Sequence, residues 1–95
     1  MAEYILFMHN DVVADEDAWE AYLRRLRQSG VFDGGSEIGE GICVRKAGVP
    51  PPITEHLAGY IRVTADTIDH AKLLLAGNPH FEAGGTVEIR ELPRT

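Results

Sequence analysis

The chain has 95 residues, of which 44% are apolar, which is enough for one domain spanning residues 1–95 and too short for two. Its formal net charge of −6 repels nucleic acid phosphates and anionic lipid, so we expect neither nucleic acid nor a membrane as a partner. A single Cys43 cannot form an internal disulfide, and we interpret it as a small buried hydrophobe in a reducing compartment.

The chain begins with a segment that predicts a central strand. Residues 3–10 are strand formers that are apolar on both faces, and only residues 4–8 form an uninterrupted apolar run. That run predicts neither a signal peptide nor a membrane-spanning helix, so we expect a cytoplasmic protein. The pattern leaves open which half of the strand faces the helices, Tyr4, Leu6 and Met8 or Ile5, Phe7 and His9.

A first helix is predicted from Asp15, which can cap it, to about residue 29, with Gly30 as a left-handed stop. Its apolar stripe recurs at spacings of three and four and is most simply core: Trp19, Tyr22, Leu23 and Leu26. The isolated glycines of residues 31–41 suggest bulges or close backbone approach in a strand pattern, and residues 42–45 predict the better-formed part of the second strand. Residues 46–54, with three consecutive prolines, predict a stiff exposed loop.

Alternation defines the remaining strands. In residues 56–63 the helix-facing positions are Leu57, Gly59, Ile61 and Val63, and the opposite positions are Ala58, Tyr60 and Arg62. A second helix of about ten residues is predicted from a capping-box-like Asp66 to Gly77, with a stripe of Ile68, Ala71, Leu74 and Leu75. In the last strand Val87 and Ile89 are predicted to face the helices, and Thr86, Glu88 and Arg90 to face away.

The predicted order β-α-β-β-α-β is the ferredoxin-like split βαβ arrangement, an α+β fold with two helices on one face of a four-stranded antiparallel sheet. The other face has no helix to cover it and carries apolar and aromatic side chains. Burying such a surface gains roughly 25 cal/mol per Å², so we expect a homodimer closed sheet to sheet.

Several segments together resemble the YCII-related proteins and their relatives with a DGPF motif. They are residues 20–26, Gly30-Val31, Gly59-Tyr60-Ile61, Asn78-Pro79-His80 and residues 84–90. The resemblance covers nearly the whole chain and implies a ferredoxin-like fold that pairs into a dimeric α/β-barrel. Most members of that family have no assigned reaction.

The family's proposed chemistry uses a His on the first helix and an Asp in an Asp-Pro motif after the second. The resemblance puts Tyr22 and Asn78 at these two positions. A Tyr with its reference pKa of about 10 is not poised as a base at neutral pH, and Asn cannot take a proton. The Asp-Gly-Pro-Phe motif is absent as well, so the resemblance implies a fold and a pocket more than a mechanism.

The histidines supply the candidate catalytic groups, His9 and His80. His9 at the end of the first strand could be oriented by Asp11, and His80 follows Pro79 where a cleft between helix and sheet is expected. In the alternative interpretation neither histidine is catalytic, and both are solvated or structural. None of the four histidines has a zinc-binding spacing to a second ligand, so no metal site is expected, and no motif implies a cofactor.

The predicted face without helices suggests two roles for its charged residues. Arg62 and Glu88 could form a buried or interfacial ion pair. Alternatively, Arg62 or Arg90 holds a carboxylate on a small ligand, with Tyr60 stacking or donating a hydrogen bond.

Two functions follow as alternatives. One is an enzyme or binding protein for a small aromatic or acidic metabolite in a pocket between sheet and helices, with catalysis undecided. Its candidate ligand-binding residues are Tyr60, Arg62, Glu88, Arg90, Tyr22 and Asn78. The other is a non-catalytic dimerisation or partner-binding module, which the lost dyad positions and the proline loop favour.

Overall fold

Four strands and three helices make up the protein in a computed structural model that describes residues 1–94. In chain order they are β1 (Ala2–His9), α1 (Asp17–Gln28), β2 (Phe32–Glu37), β3 (Leu57–Ala65), α2 (Ile68–Leu73), α3 (Pro79–Glu82) and β4 (Val87–Leu92). The strands form one antiparallel sheet in the order β2-β3-β1-β4. The fold is therefore α+β, and β1 is central, as its doubly apolar sequence predicts.

The two faces of the sheet follow the alternation along each strand. Tyr4, Leu6 and Met8 of β1 are buried toward the helices, which resolves the question that the sequence left open. Gly59, Ile61 and Val63 of β3 lie on the same side, as predicted, and Val87 and Ile89 of β4 pack against this core. The face opposite the helices, called the open face below, carries Ile5, Phe7, His9, Tyr60, Arg62, Glu88 and Arg90.

The core lies between the helix-facing side of the sheet and α1. Tyr22 and Leu26 project from α1 into a cluster that includes Leu6 and Val63, both fully buried. Full burial of a side chain of this size contributes about 1.5–3 kcal/mol to the free energy of unfolding. The α1 positions Trp19 and Leu23 are only half-buried, so the predicted stripe is core at its centre and partly exposed at one edge.

The prediction of β2 at residues 42–45 is wrong, because the strand that pairs with β3 is the preceding glycine-rich segment. Gly35 lies opposite Ile61, and a Cβ at Gly35 would overlap the main chain of β3 at Tyr60. Only glycine permits this close approach, and the register shifts between Phe32 and Gly35 as expected for a bulge. Pairing with β3 thus overrides the higher strand propensity of residues 42–45.

Residues 38–56 consequently form one long connection without helix or strand. It includes the proline-rich part, which is exposed as predicted, and it leaves apolar side chains in solvent: Ile42, Val44 and Val49. Cys43 belongs to this connection and is partly exposed, so its interpretation as a buried hydrophobe is wrong.

The segment after β3 differs from the single ten-residue helix that was predicted. Helix α2 has six residues and is capped by Thr67 rather than Asp66, since the Thr67 side chain accepts a hydrogen bond from the His70 amide. Ile68 is largely exposed, so it does not belong to the buried stripe. Gly77 has a positive φ of 85° and ends this segment, as predicted.

The short helix α3 was not predicted, although its sequence carries the signal. Asn78 caps it and Pro79 occupies its first turn, a position where the missing proline N–H costs nothing. The longest helix of the protein is α1, with 12 residues. No helix within residues 1–94 combines the length and apolar character that a bilayer crossing requires.

Candidate functional site

A cavity of about 530 Å³ lies between α1 and the β2-β3 side of the sheet. Its apolar wall is formed by residues from four elements: Met8, Trp19, Leu23, Phe32 and Ile61. The glycines of β2 and β3 add no side chains, so the space beneath the half-buried edge of α1 stays open. Volumes of this size are typical of sites for small organic ligands.

Polar groups border the cavity at a few points only. Arg27 of α1 lies at its border with the guanidinium carbon 5.3 Å from the centre of the Phe32 ring. Within residues 1–94 no carboxylate lies within ion-pair distance of Arg27. The remaining polar contributors are Glu16, Ser36, Glu37, Tyr60 and His80.

His80 is the buried titratable group at this cavity, and α3 holds it in place. The Asn78 side-chain oxygen accepts hydrogen bonds from the amides of His80 at 2.9 Å and Phe81 at 3.0 Å, which fixes the first turn of the helix. The His80 Nε2 contacts the main-chain oxygen of His9. Because a carbonyl only accepts, Nε2 is the protonated nitrogen in the neutral ring and Nδ1 is the basic one.

Asp11 lies beside His80, with its Oδ1 3.6 Å from the His80 Nε2. The same carboxylate accepts hydrogen bonds from the Thr86 amide at 3.1 Å and from the Thr86 hydroxyl at 2.7 Å. These bonds hold the pKa of Asp11 below its usual value, and the charge on a protonated His80 acts in the same direction. Asp11 therefore stabilises the junction of α3 and β4. Contrary to the prediction, it does not orient the His9 ring.

The His9 side chain instead faces the open face and contacts β4. Its Nε2 lies 3.1 Å from Oε1 of Glu88, and the other Glu88 oxygen accepts a hydrogen bond from Arg90 at 3.2 Å. The bond with His9, followed by that with Arg90, lowers the pKa of Glu88. His56 packs edge to face against His9 with 4.9 Å between ring centres, which brings a second imidazole to the same place.

Arg62 does not pair with Glu88 as the ion-pair alternative expected. Its Nη2 lies 3.7 Å from Oε1 of Glu3, which is on the neighbouring strand β1. The Arg62 Nε is buried without a hydrogen-bond partner among the described residues. Arg62 and Arg90 both lie opposite Ile5, one on each neighbouring strand, so the open face has a cation on either side of its apolar centre.

Tyr22 and Asn78, the positions where the resemblance places a catalytic pair, meet in the core away from the cavity. The Tyr22 hydroxyl donates a hydrogen bond to the Leu74 carbonyl at 2.7 Å. Burial raises the pKa of Tyr22, and the nearby Asn78 amide and the Arg25 charge oppose this rise. The Asn78 Nδ2 approaches Tyr22 without completing a hydrogen bond, since it has no partner among the described residues. Both side chains are buried and make their hydrogen bonds within the fold.

The predicted site residues thus fall into three places. His80 borders the cavity, and Tyr22 and Asn78 lie in the core. The open face carries His9, Tyr60, Arg62, Glu88 and Arg90, of which Tyr60 also contributes to the lining of the cavity. Sequence reasoning assigned Trp19 and Leu23 to the core and did not single out Arg27, Phe32 or His56. The run of glycines opposite the α1 stripe was the available signal, because a strand without side chains leaves space under a helix.

No protein-family model matches the chain, and a comparison with curated proteins finds no similar sequence.

Proposed function

We propose that the protein binds a small aromatic carboxylic acid in the cavity between α1 and the β2-β3 side of the sheet. The observation that carries the proposal is the cavity itself, about 530 Å³ with an apolar and aromatic wall and few polar groups. Trp19 and Phe32 contribute aromatic side chains to the lining, and burial of the ligand's apolar surface supplies the main driving force.

The border of the cavity carries the carboxylates of Glu16 and Glu37 and one guanidinium, and the guanidinium is the group that supports an acidic ligand. Arg27 has no carboxylate within ion-pair distance among the described residues, and its planar guanidinium suits a bidentate contact with a carboxylate. His80 is a second polar group, whose basic Nδ1 can exchange a proton with a ligand while Nε2 stays on the His9 carbonyl. His80 is accordingly our candidate for any acid–base step, whereas the His9 ring lies on the open face.

A fluorescence titration tests this proposal, because Trp19 is the single tryptophan of the chain and borders the cavity. We expect phenylacetate to change Trp19 emission saturably and to bind more tightly than phenylacetamide, which has the same shape without the charge. Arg27→Gln should weaken phenylacetate binding about three- to tenfold and remove the preference for the acid. Leu23→Tyr, which places a larger side chain in the cavity, should weaken both ligands.

The matched control is Arg45→Gln, which removes a guanidinium from the 38–56 connection, where Arg45 donates a hydrogen bond to the Val49 carbonyl. Its affinity for phenylacetate should equal that of the unmodified protein. Equal binding of acid and amide, or equal affinity in the Arg27 and Arg45 variants, would contradict the assignment of Arg27. No saturable change with either ligand at millimolar concentration would refute the proposed site.

We further propose that two copies pair through their open faces, giving the ferredoxin-like, dimeric α/β-barrel arrangement of the YCII-related proteins. Support comes from the open face, where Ile5 and Phe7 form an apolar centre that none of the three helices covers within residues 1–94. Neighbouring strands place Arg62, Glu88 and Arg90 around this centre, and charges of both signs suit a self-complementary contact.

The second candidate function is a non-catalytic dimerisation or partner-binding module. The exposed side chains of Ile42, Val44 and Val49 in the 38–56 connection favour it, because burying these three apolar groups against a partner would be favourable. A triple Ser substitution at these positions separates the two functions. It should leave phenylacetate binding unchanged if the cavity is the functional site.

A further inference from the structure

We propose that His9, His56 and Glu88 form a binding site for a divalent first-row transition metal, with Zn²⁺ as the best-matched ion. Their ligand atoms all lie within 4.8 Å of one another, although they come from β1, from the residue before β3 and from β4. The site is separate from the cavity and stands independently of the proposed acid ligand.

One of the distances already matches that around a bound ion. Zinc bonds to imidazole nitrogen and carboxylate oxygen at about 2.0–2.2 Å, so two ligand atoms on one ion lie roughly 2.9–3.4 Å apart. The His9 Nε2 and Glu88 Oε1 are already 3.1 Å apart. His56 is exposed, so its ring can rotate to bring a nitrogen to the same point.

The main chain around each ligand is tied to its neighbours. The His9 amide donates a hydrogen bond to the Thr86 carbonyl at 3.0 Å, and the His56 carbonyl accepts one from the Asn10 amide at 2.9 Å. Glu88 is held through its second oxygen by Arg90, which leaves Oε1 directed toward His9. A hydrogen bond to the carboxylate oxygen that does not bind the metal helps to orient a metal-binding carboxylate.

The donor set indicates the class of metal. Two imidazoles and one carboxylate match zinc and related first-row ions, whereas calcium and magnesium prefer sites made wholly of oxygen. Three protein ligands leave at least one coordination position for water or a small anion. The net charge of −6 favours cation binding over the whole surface, and the Arg90 charge opposes it locally.

No metal site was expected from the sequence, because only ligands at short spacings along the chain form a recognisable motif. His9 and Glu88 are 79 residues apart, and His56 belongs to a third segment, so no local motif records the site. Only the pairing of β1 with both β3 and β4 brings the three side chains together.

The test is calorimetric titration of tag-free, chelator-treated protein with Zn²⁺, together with the visible absorption of the Co²⁺-loaded protein. We expect one ion per chain, a Co²⁺ spectrum typical of four or five ligands, and an affinity that falls as pH is lowered, because the imidazoles must be deprotonated. His56→Gln and Glu88→Gln should each weaken Zn²⁺ binding at least about tenfold. Zn²⁺ should also raise the melting temperature of the unmodified protein.

His70→Gln is the matched control, since His70 is an exposed histidine 3.8 Å from the Asp66 carboxylate but outside the cluster. It should bind Zn²⁺ as the unmodified protein does. His56 is exposed and outside the strands, so His56→Gln is expected to fold, and circular dichroism verifies this. Equal Zn²⁺ affinity in the His56 and His70 variants, or no uptake by the unmodified protein, would overturn the proposal.

Discussion

The ring of His80 occupies the space that a side chain at Gly85 would need. A Cβ at Gly85 would lie 2.6 Å from Cδ2 of His80 and equally close to Cγ2 of Val12. Both distances are far below van der Waals contact, and the His80 ring is 5% exposed, so it has little room to move. Gly85 is therefore a steric requirement for His80 at the border of the cavity.

Gly85→Ala should lower the free energy of unfolding by about 1–3 kcal/mol, because the added methyl group displaces the His80 ring or the Val12 side chain. Chemical denaturation measures this change, and the His80 imidazole signals in NMR spectra should shift. Gly39→Ala is the control, since nothing lies within 4 Å of a Cβ there. If both variants are as stable as the unmodified protein, Gly85 is not constrained by His80.

Alternation was sufficient to predict the faces of β3 and β4, because each has one polar side and the side-chain period is two, whereas β1 is apolar on both faces and its orientation stayed open. It identified Ile61 and Val63 as helix-facing and Tyr60 and Arg62 as open-face residues. Local stop signals were also informative, since Gly30 and Gly77 both adopt positive φ, 74° and 85°.

Features that depend on pairing between distant segments could not be predicted from local sequence patterns. Residues 32–37 have weak strand propensity, and they form β2 only because β3 needs a partner that its backbone can approach at Gly35. The contact of His9 with Glu88 likewise depends on the register of β1 against β4, in which Phe7 lies opposite Glu88. Such registers follow from the whole sheet rather than from spacing along the chain.

Tyr22→Phe should lower the free energy of unfolding by about 1 kcal/mol, because the Leu74 carbonyl loses its buried hydrogen-bond donor. Equilibrium urea unfolding at neutral pH measures this difference. Tyr60→Phe is the matched control, because the Tyr60 hydroxyl makes no hydrogen bond to another described residue, and its stability should be unchanged. Equal stability of all three proteins would show that the bond is not maintained in solution.

Tyr22 also predicts a loss of stability at high pH. Its pKa is raised in the fold from 10.0 by burial, so the folded protein retains the proton that the unfolded chain releases. This contribution to stability is complete below pH 10. It is lost as the pH rises through the higher pKa of Tyr22 in the folded protein. Tyr22→Phe should remove this part of the alkaline decline, and a decline of equal steepness in both proteins would contradict the burial argument.

Asp11 and Glu88 predict a loss of stability in acid. Both have lowered pKa values in the fold, from 3.8 and 4.5, because the Thr86 donors and the His9 ring, respectively, favour the charged carboxylates. Their contribution to the free energy of unfolding is present when the pH is above these ordinary pKa values. It is lost as the pH falls through the lower pKa values of the folded protein.

Asp11→Asn and Glu88→Gln should each flatten the dependence of the melting temperature on pH below pH 5. Asp33→Asn is the control, since Asp33 is exposed and receives no hydrogen bond from another described residue. Its acid profile should match that of the unmodified protein. Identical profiles for all three variants would show that neither carboxylate is held in its charged form by the fold.

Phe7 provides the test of association through the open face. It lies at the centre of β1 between Tyr60 and Glu88, and helix α1 packs on the opposite side of the sheet. In a dimer closed through this face, Phe7 would be buried against the partner, where a carboxylate is strongly unfavourable. Phe7→Asp should therefore convert a dimer into a chain of 10.4 kDa in sedimentation equilibrium at micromolar concentration.

Leu73→Asp is the appropriate comparison, because Leu73 is another apolar side chain, 72% exposed, but on α2 rather than on the open face. It should remain dimeric, with twice the mass of one chain. Circular dichroism of both variants distinguishes dissociation from unfolding. An unmodified protein that sediments at 10.4 kDa would exclude the dimer, whereas the cavity, which lies wholly within one chain, would still be tested by its own ligand titration.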